Sequence, residues 1–587
     1  MKLRTWMITA LSAALYVLAF PPYGLAFLGW IALVPWLLGL SSGSFSGATP
    51  GSSSCAAPGS FSGATPDSSS GTAPGSSSRA ASASTSFRLA RAAVFQGVLL
   101  GFLVTLGGFF WVAYVLKQFG GLPWPAAILG LVLFAFIGQL QWVFFAPLAR
   151  SVLLKSLHEG RWVLVLRLLW LAASYAAIEW LTPKLFRDTF GHHVVAFENL
   201  RMNARWAGAY GLTFLVVFVN LVVARVILGL RHRKEPSAWP VLGQCSGAIA
   251  VGVALFMAFW GYGRLTRIWV EKQVASATSE ARIAVIQANI GDIEKLSARR
   301  GIREARRQVM STFLQLSDEA VAQISPRPQA LVWPETAYPS SFRKPRVADE
   351  LELDQMVEAY ARSRQIPLLF GGYDETVGYP RQDFNSFFFL GKEARAEDLQ
   401  VYHKNRLLLF GETLPFSEVF PVLREWFPQV GNFGRGRGPE AFSLPTSPSV
   451  KAAPAICYEV LFPDDMAQAK RAGAELILNI TNDSWFGPYA EPELHLALST
   501  FRSIELGIPM LRATNTGISA VVDPAGRILS RTKIGVPAVL DGRIPLVALP
   551  ASLVEKWGDF LPKLFVFLSL VGGAVNSLAT LRFRLRD

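Results

Sequence analysis

The sequence predicts a polytopic α-helical membrane domain joined to a large α/β domain, on three observations. Hydrophobic residues make up 51% of the 587, and the mean hydropathy of +0.33 is high for a water-soluble chain. That excess is segregated into runs of the roughly 20 residues that a bilayer-crossing helix needs. Before the last of these runs, residues 270–556 switch to short strands alternating with helical patterns, the signature of a layered α/β core.

Apolar runs are read at 5–21, 24–41, 92–116, 125–148, 162–182, 208–230, 239–262 and 558–580, about eight transmembrane helices. The first follows Met1-Lys-Leu-Arg4 as a signal peptide would. Phe20-Pro-Pro-Tyr23 lacks the small-residue cleavage pattern, however, and a second run follows at once, so a retained helix is expected. The net charge of +14 is sorted by side: Lys2 and Arg4, then Arg79, Arg88 and Arg91, then Arg150, Lys155 and Arg161, then Arg231, Arg233 and Lys234, then Arg582, Arg584 and Arg586 all fall in alternate loops. This positive-inside bias places both termini in the cytoplasm and the α/β segment on the opposite face. Lys184, Arg187, Arg201 and Arg205 fall outside, in a longer loop where charge weighs less. With no RNA- or DNA-binding pattern, no nucleic-acid partner is expected.

The organisation is then 1–41 (two spans), 42–86 (an insert), 87–265 (five spans), 270–556 (the α/β domain) and 557–587 (the last span and a cytoplasmic tail). Within the insert, Gly43-Ser-Phe-Ser-Gly-Ala-Thr-Pro50 recurs as Gly59-Ser-Phe-Ser-Gly-Ala-Thr-Pro66, with Asp67 and Arg79 as its charges. Such a tract buries too little apolar surface to offset its ordering entropy, so a disordered linker is expected.

In the α/β segment, Ala281–Ile290 alternates like a half-buried strand and 302–325 has helical spacing. Ala330–Glu335 reads as a short strand, followed by a helix at 350–364 and strands at 367–374 and 384–391. Strands at 450–458 and 475–482, a helix at 493–507 and a strand pair over 509–530 joined through Asp523-Pro-Ala-Gly526 complete it.

Three polar residues stand where strands run out: Glu335 in Leu331-Val-Trp-Pro-Glu-Thr-Ala-Tyr-Pro339, Lys404 in Tyr402-His-Lys-Asn-Arg-Leu407, and Cys457 in Pro454-Ala-Ile-Cys-Tyr-Glu459. The other cysteines, Cys55 and Cys245, suggest neither a disulfide framework nor a metal cluster. A thiol needs a base to become a nucleophile, a carboxylate supplies one, and an ammonium favours the anion and holds an oxyanion. Taken singly, each is ordinary: a buried small hydrophobe, a turn carboxylate, a solvated lysine.

Together, and in the order Glu, Lys, Cys, these contexts resemble the nitrilase or carbon–nitrogen hydrolase superfamily, which implies a Glu-Lys-Cys triad on an αββα sandwich. The resemblance continues through Asn482-Asp-Ser-Trp-Phe-Gly487, His495, Arg502-Ser-Ile-Glu-Leu-Gly507 and Leu511-Arg-Ala-Thr-Asn-Thr-Gly-Ile-Ser519, covering 281–545. The membrane half, through Leu18-Ala-Phe-Pro-Pro-Tyr-Gly24, Phe110-Trp111, Phe119-Gly-Gly-Leu-Pro123, Glu179-Trp180 and Tyr210–Asn220, is similar to the apolipoprotein N-acyltransferase family. That similarity implies transfer of a fatty acyl chain from a phospholipid to the α-amine of an S-diacylglyceryl cysteine on an apolipoprotein, at the periplasmic side of a bacterial inner membrane. It implies Glu335 as general base, Lys404 as oxyanion and orienting cation, Cys457 as nucleophile and Glu412 as the residue orienting Lys404. Tyr458 and Glu459 support the nucleophile, and Trp485 and Phe486 are candidates for the acyl pocket. No metal or organic cofactor is implied, and a monomer is expected.

Two departures stand out. Leu408-Leu409 replaces the family's Val-Pro in the loop after Lys404, and Thr189-Phe-Gly-His-His193 replaces an aromatic stretch. Adjacent histidines point in different directions, so His192 and His193 read as packing or hydrogen bonding at an interface. Two alternatives stay open, a membrane-anchored amidase or other hydrolase using the same triad, and a transporter or receptor with an inactive α/β domain.

Overall fold

The computed structural model describes residues 3–41, 76–155, 160–231, 239–291, 303–376, 381–428, 430–446 and 449–584. Cys55 and most of the low-complexity insert lie outside them.

The membrane half comprises α1 (Leu3–Leu18), a 3-10 turn over Ala26–Trp30, α2 (Val34–Ser41), α3 (Ser76–Gly108), α4 (Val112–Gln118), α5 (Trp124–Ile137), α6 (Gln141–Lys155), α7 (Arg161–Leu181), α8 (Glu198–Arg201), α9 (Ala204–Arg231) and α10 (Trp239–Ala275). By length and composition, five stretches among the described residues are long and apolar enough to cross a membrane: Ala90–Gly108, Trp124–Leu153, Arg161–Leu181, Ala204–Arg231 and Leu242–Ala275. Leu3–Leu18, Ala26–Ser41 and Phe560–Val575 are shorter apolar helices. The run expected to span at 24–41 is therefore broken, with α2 contributing only eight α-helical residues, about 12 Å of rise against a hydrocarbon core of about 30 Å. Helix α3 starts at Ser76, so the end of the tract read as a linker, residues 76–86, is helical. Its alanines propagate a helix nucleated by the apolar run behind them.

The α/β half contains β1 (Ser279–Gln287), α11 (Arg303–Gln323), β2 (Ala330–Val332), α12 (Ala348–Arg364), β3 (Leu368–Glu375), β4 (Asp383–Leu390), β5 (Leu399–His403), α13 (Val422–Trp426), β6 (Phe442–Ser443), β7 (Lys451–Ile456), α14 (Pro463–Arg471), β8 (Leu476–Thr481), α15 (Glu491–Leu506), β9 (Met510–Thr514), β10 (Ala520–Val522), β11 (Ile528–Arg531) and β12 (Ala538–Leu546). After it, α16 (Leu553–Trp557) leads into α17 (Phe560–Arg584). The strands form two six-stranded sheets, ordered β12-β1-β2-β3-β4-β5 and β11-β10-β9-β8-β7-β6. Each sheet has a parallel centre, β1-β2-β3 in one and β7-β8-β9 in the other, flanked by antiparallel strands. Each parallel step needs a crossover, which α11 and α12 supply to the first sheet and α14 and α15 to the second.

Helices cover the outer faces because only there can their apolar stripes be buried. Val309, Met310 and Phe313 of α11 and Leu353, Val357 and Ala361 of α12 pack on Ile286, Leu331, Trp333 and Phe370. The opposite faces of the same strands, through Ile283, Val285, Val332 and Leu369, join the core of the second sheet. The result is an αββα sandwich, as the resemblance implied. Pro545 in β12 lies on an edge strand, where its missing N–H breaks no ladder.

The two halves share one core. Helix α15 is buried almost along its whole length, including His495, Phe501 and Arg502, with the sheet on one side and membrane helix α9 on the other. Arg205 of α9 donates to the carbonyls of Ile504 at 3.4 Å and Pro550 at 2.8 Å.

Candidate active site

Strand direction explains how the site assembles. Strands β2, β3 and β5 run the same way, so their carboxyl ends share one edge of the first sheet. Glu335 follows β2 and Lys404 follows β5 at that edge, while Cys457 follows β7 in the opposing sheet. All three are buried, at 5%, 2% and 6% exposure.

Lys404 Nζ donates to Glu412 Oε1 at 2.9 Å and to Glu335 Oε1 at 3.2 Å. Asn385 Nδ2, from β4, donates to the same two oxygens at 2.7 and 2.8 Å, and the backbone N–H of Asn482 donates to Glu335 Oε2 at 2.9 Å. Burial alone would lower the Lys404 ammonium, but Glu335 and Glu412 hold it well above the usual lysine range. Burial, reinforced by Glu335, pushes the Cys457 thiol up, with Lys404 and the Thr481 hydroxyl opposing. The resting thiol is therefore protonated beside a carboxylate already held by three donors.

Cys457 adopts φ +57°, a left-handed conformation rare for a side-chain-bearing residue, where β7 turns sharply into a 3-10 helix over Cys457–Leu461. Such a turn lifts a nucleophile clear of its strand. Glu459 staples it: Oε2 accepts from Ile456 N at 2.8 Å and Tyr402 Oη at 3.1 Å, and Oε1 accepts from Asn405 N at 2.6 Å and Arg406 N at 2.9 Å. One side chain thus ties the Cys457 turn to the backbone following Lys404. Burial pushes Glu459 up to about 7 against those backbone donors. Tyr458 donates to Leu407 O at 2.8 Å and lays its ring 5.7 Å from Lys404 Nζ.

The Leu408-Leu409 departure sits in a tight turn. Leu408 N donates to Glu412 Oε2 at 2.9 Å and Leu408 O accepts from Glu412 N at 2.8 Å, so the loop closes on the carboxylate that holds Lys404.

Trp485 and Phe486 lie in a 3-10 turn, Asp483–Phe486, that meets the membrane half. The Trp485 ring is 4.1 Å from Phe119, and Phe486, 4% exposed, meets Trp111 at 5.0 Å and Phe186 at 6.0 Å. Phe486 is therefore packed in a joint between the halves, while Trp485 is half-buried beside α4. His192 accepts from Thr189 N at 2.9 Å and sits edge-on to Phe501 of α15 at 4.5 Å, and His193 Nδ1 lies 2.6 Å from Phe190 O.

A buried layer lies beneath the Cys457 turn, the elbow of the site; sequence reasoning gave it no role, although Asp483, His495 and Arg512 stand in the runs that carry the resemblance. Asn479 of β8 donates to the carbonyls of Ala455 and Cys457, each at 3.0 Å, and accepts from Arg512 Nη1 at 2.6 Å. Arg512 Nη2 reaches Asp483 Oδ2 and His495 Nδ1, both at 3.0 Å, and His495 faces Glu491 at 3.3 Å. Burial alone would raise Asp483, but Arg512 and His495 hold it at about 2. Asp483, Glu491 and His495 place ligand-type atoms within 4.8 Å of one another, yet Arg512 already supplies the cation there. Their signal was the polar residue inside an apolar strand, as with Asn385 in Asp383–Leu390 and Asn479 in Leu476–Thr481.

Gly371 of β3 makes the Glu335 position possible. A Cβ there would lie 2.6 Å from Glu335 Cα and 2.7 Å from Pro334 O, both backbone atoms that cannot swing away. Gly371→Ala is expected to cost about 1–3 kcal/mol and to displace Glu335. Thermal unfolding and the rate of alkylation of the Cys457 thiol check this, and a variant equal to the parent in both contradicts it.

A carboxylate–lysine–cysteine centre on an αββα sandwich defines a carbon–nitrogen hydrolase-type domain, and the family model "Carbon-nitrogen hydrolase" matches residues 282–549. The "Apolipoprotein N-acyltransferase N-terminal domain" model matches residues 80–222. Proteins named apolipoprotein N-acyltransferase from Bdellovibrio bacteriovorus (31% identical, covering 83% of this chain and 87% of that one) and Geobacter metallireducens (26%, covering 99% and 96%) are similar over most of their length. The chain belongs to the apolipoprotein N-acyltransferase family. Among solved structures it is similar to an amidase from Nesterenkonia sp. AN1 (21% identical, covering 48% of this chain and 98% of that one, TM-score 0.32) and to a carbon-nitrogen hydrolase from Helicobacter pylori G27 (16%, 49% and 94%, TM-score 0.34).

Proposed function

We propose that this chain, an acyltransferase of the inner membrane, acts in lipoprotein N-acylation by a two-step reaction at Cys457. In the first step Glu335 takes the thiol proton as Sγ attacks an ester carbonyl of a phospholipid. Lys404 spends two of its three N–H bonds on Glu335 and Glu412, leaving the third for the oxyanion. The ester C–O bond breaks, Glu335 returns the proton to the departing alkoxide, and a lysophospholipid leaves behind a Cys457 thioester. In the second step the α-amine of an S-diacylglyceryl cysteine attacks the thioester, Glu335 accepts a proton, and an amide forms as the thiol is released. Glu412, Asn385 and Tyr458 position Lys404, and Glu459 positions the elbow.

The observation that carries this reading is the buried Lys404 shared by two carboxylates beside a left-handed cysteine, joined to a membrane half by aromatic packing. Lipid access has its own support. The loop after Glu412 carries Phe416, Val419, Phe420 and Trp426 at 74%, 69%, 57% and 67% exposure, apolar surface suited to a bilayer boundary. Trp485, half-buried against Phe119, would border the acyl path. The charge bias of the loops supports a periplasmic catalytic half with cytoplasmic termini.

Mass spectrometry of the purified protein with phospholipid tests the proposal. The expected result is an acyl adduct on Cys457, absent in Cys457→Ala, that a diacylated lipopeptide discharges as a triacylated product. Discharge by water at the same rate with no amide would leave a hydrolase instead.

A further inference from the structure

A groove of about 720 Å³ opens between the start of α9, the second half of α10 and the segment leading into α16. It lies away from the triad. Arg205 in its wall contacts Ile504, near the end of α15, whereas the reactive edge of the sheet adjoins the beginning of that helix. Sixteen residues of α15 put about 24 Å between its ends.

The lining is graded along α10. Leu255, Ala258 and Phe259 line one end, and Thr266 and Trp269 line the other with Arg205. From 255 to 269 the helix rises about 21 Å, roughly the reach of a lipid headgroup and the upper part of its chains. Arg205 is 6% exposed, its guanidinium lies 5.9 Å from the Trp269 ring, and its hydrogen bonds go to neutral carbonyls. Among the described residues no carboxylate lies within ion-pair distance of it. Glu555 of α16 acts on it from beyond ion-pair distance, so among the described residues the guanidinium has no directly bonded anion; a cation so placed in an apolar wall favours an anionic partner, and a guanidinium suits phosphate.

We propose that this groove holds one phospholipid as a structural ligand, its phosphate at Arg205 and an acyl chain along Leu255, Ala258 and Phe259. This lipid is bound, not consumed. It would brace α9 and α10 against the catalytic half at the place where Arg205 already clamps Ile504 and Pro550.

Native mass spectrometry of the full chain in detergent tests this, in a Cys457→Ala background so that turnover does not alter the lipid count. After delipidation, phosphatidylglycerol is added back. The parent is expected to retain one more lipid per chain than Ala258→Trp, which fills the apolar floor and leaves the bonds of Arg205 intact. Added lipid is also expected to raise the unfolding temperature of the parent more than that of Ala258→Trp. Arg205→Gln, read by the same lipid count, is expected to lose the same lipid. Equal lipid counts with equal temperature shifts in parent and Ala258→Trp would overturn the proposal, as would a dimer of the chain that Ala258→Trp abolishes, since a second copy would then occupy the groove.

Discussion

Replacing Lys404 by methionine is expected to lower the rate of Cys457 acylation by about 10²–10³, the usual loss on removing an oxyanion donor, and to destabilise the fold by about 3–5 kcal/mol. The second effect follows from what remains. Glu335 and Glu412 would face each other in a buried site with Asn385 Nδ2 as their shared donor, at 2.8 and 2.7 Å. Because the two carboxylates raise Lys404 well above the ordinary lysine value, its stabilising contribution is complete below the unfolded value of about 10.4 and is lost only as pH climbs through the higher folded value. Adding Glu412→Gln is expected to restore much of the stability and none of the rate. Thermal unfolding and single-turnover acylation read the two separately, and a Lys404→Met protein that acylates at half the parental rate would remove the lysine from the mechanism.

Arg512→Met reverses the balance, with stability falling first. Arg512 is completely buried and bonds Asn479, Asp483 and His495, so its loss strands Asp483 and is expected to cost about 3–5 kcal/mol. Asp483 is held at about 2, so its stabilising contribution is present above the unfolded value of about 3.9 and fades as pH falls through 2. Without Arg512 that acid-side reserve is expected to shrink to what His495 and Thr481 sustain, seen as unfolding at a higher pH in an acid titration. Acylation should fall only about tenfold, because Asn479 still has the carbonyls of Ala455 and Cys457 to hold. An unchanged unfolding temperature would show that this layer does not support the elbow.

The difference between these two residues also marks what was legible in the sequence. Lys404 announced itself because its neighbours form a recognisable run, and so did Glu335 and Cys457. Arg512 and Asn479 lie 33 residues apart and meet only because β8 and β9 pair in the register that sets Asn479 opposite Arg512. Nothing local encodes that register. The same holds for Asn385, 50 residues from Glu335 and brought to it by the β3–β4 pairing. Long apolar runs were readable because hydropathy is a property of the run itself. Their interruptions, at residues 31–33 between the 3-10 turn and α2 and at 138–140 between α5 and α6, depend on local backbone geometry that hydropathy averages away. Strand β12 escaped because Gly542 and Pro545 break the look of a strand.

Helix α10 runs without a break for 37 residues, and only residues 276–278 separate it from β1. At about 55 Å it outlasts a hydrocarbon core of about 30 Å, so the chain leaves the apolar layer as a rigid mast and not as a tether. A mast fixes both altitude and bearing. Adding one residue to it would turn its far end by about 100° and lift it by about 1.5 Å, setting the mast against the packing of α15 on α9 that holds the two halves in one core.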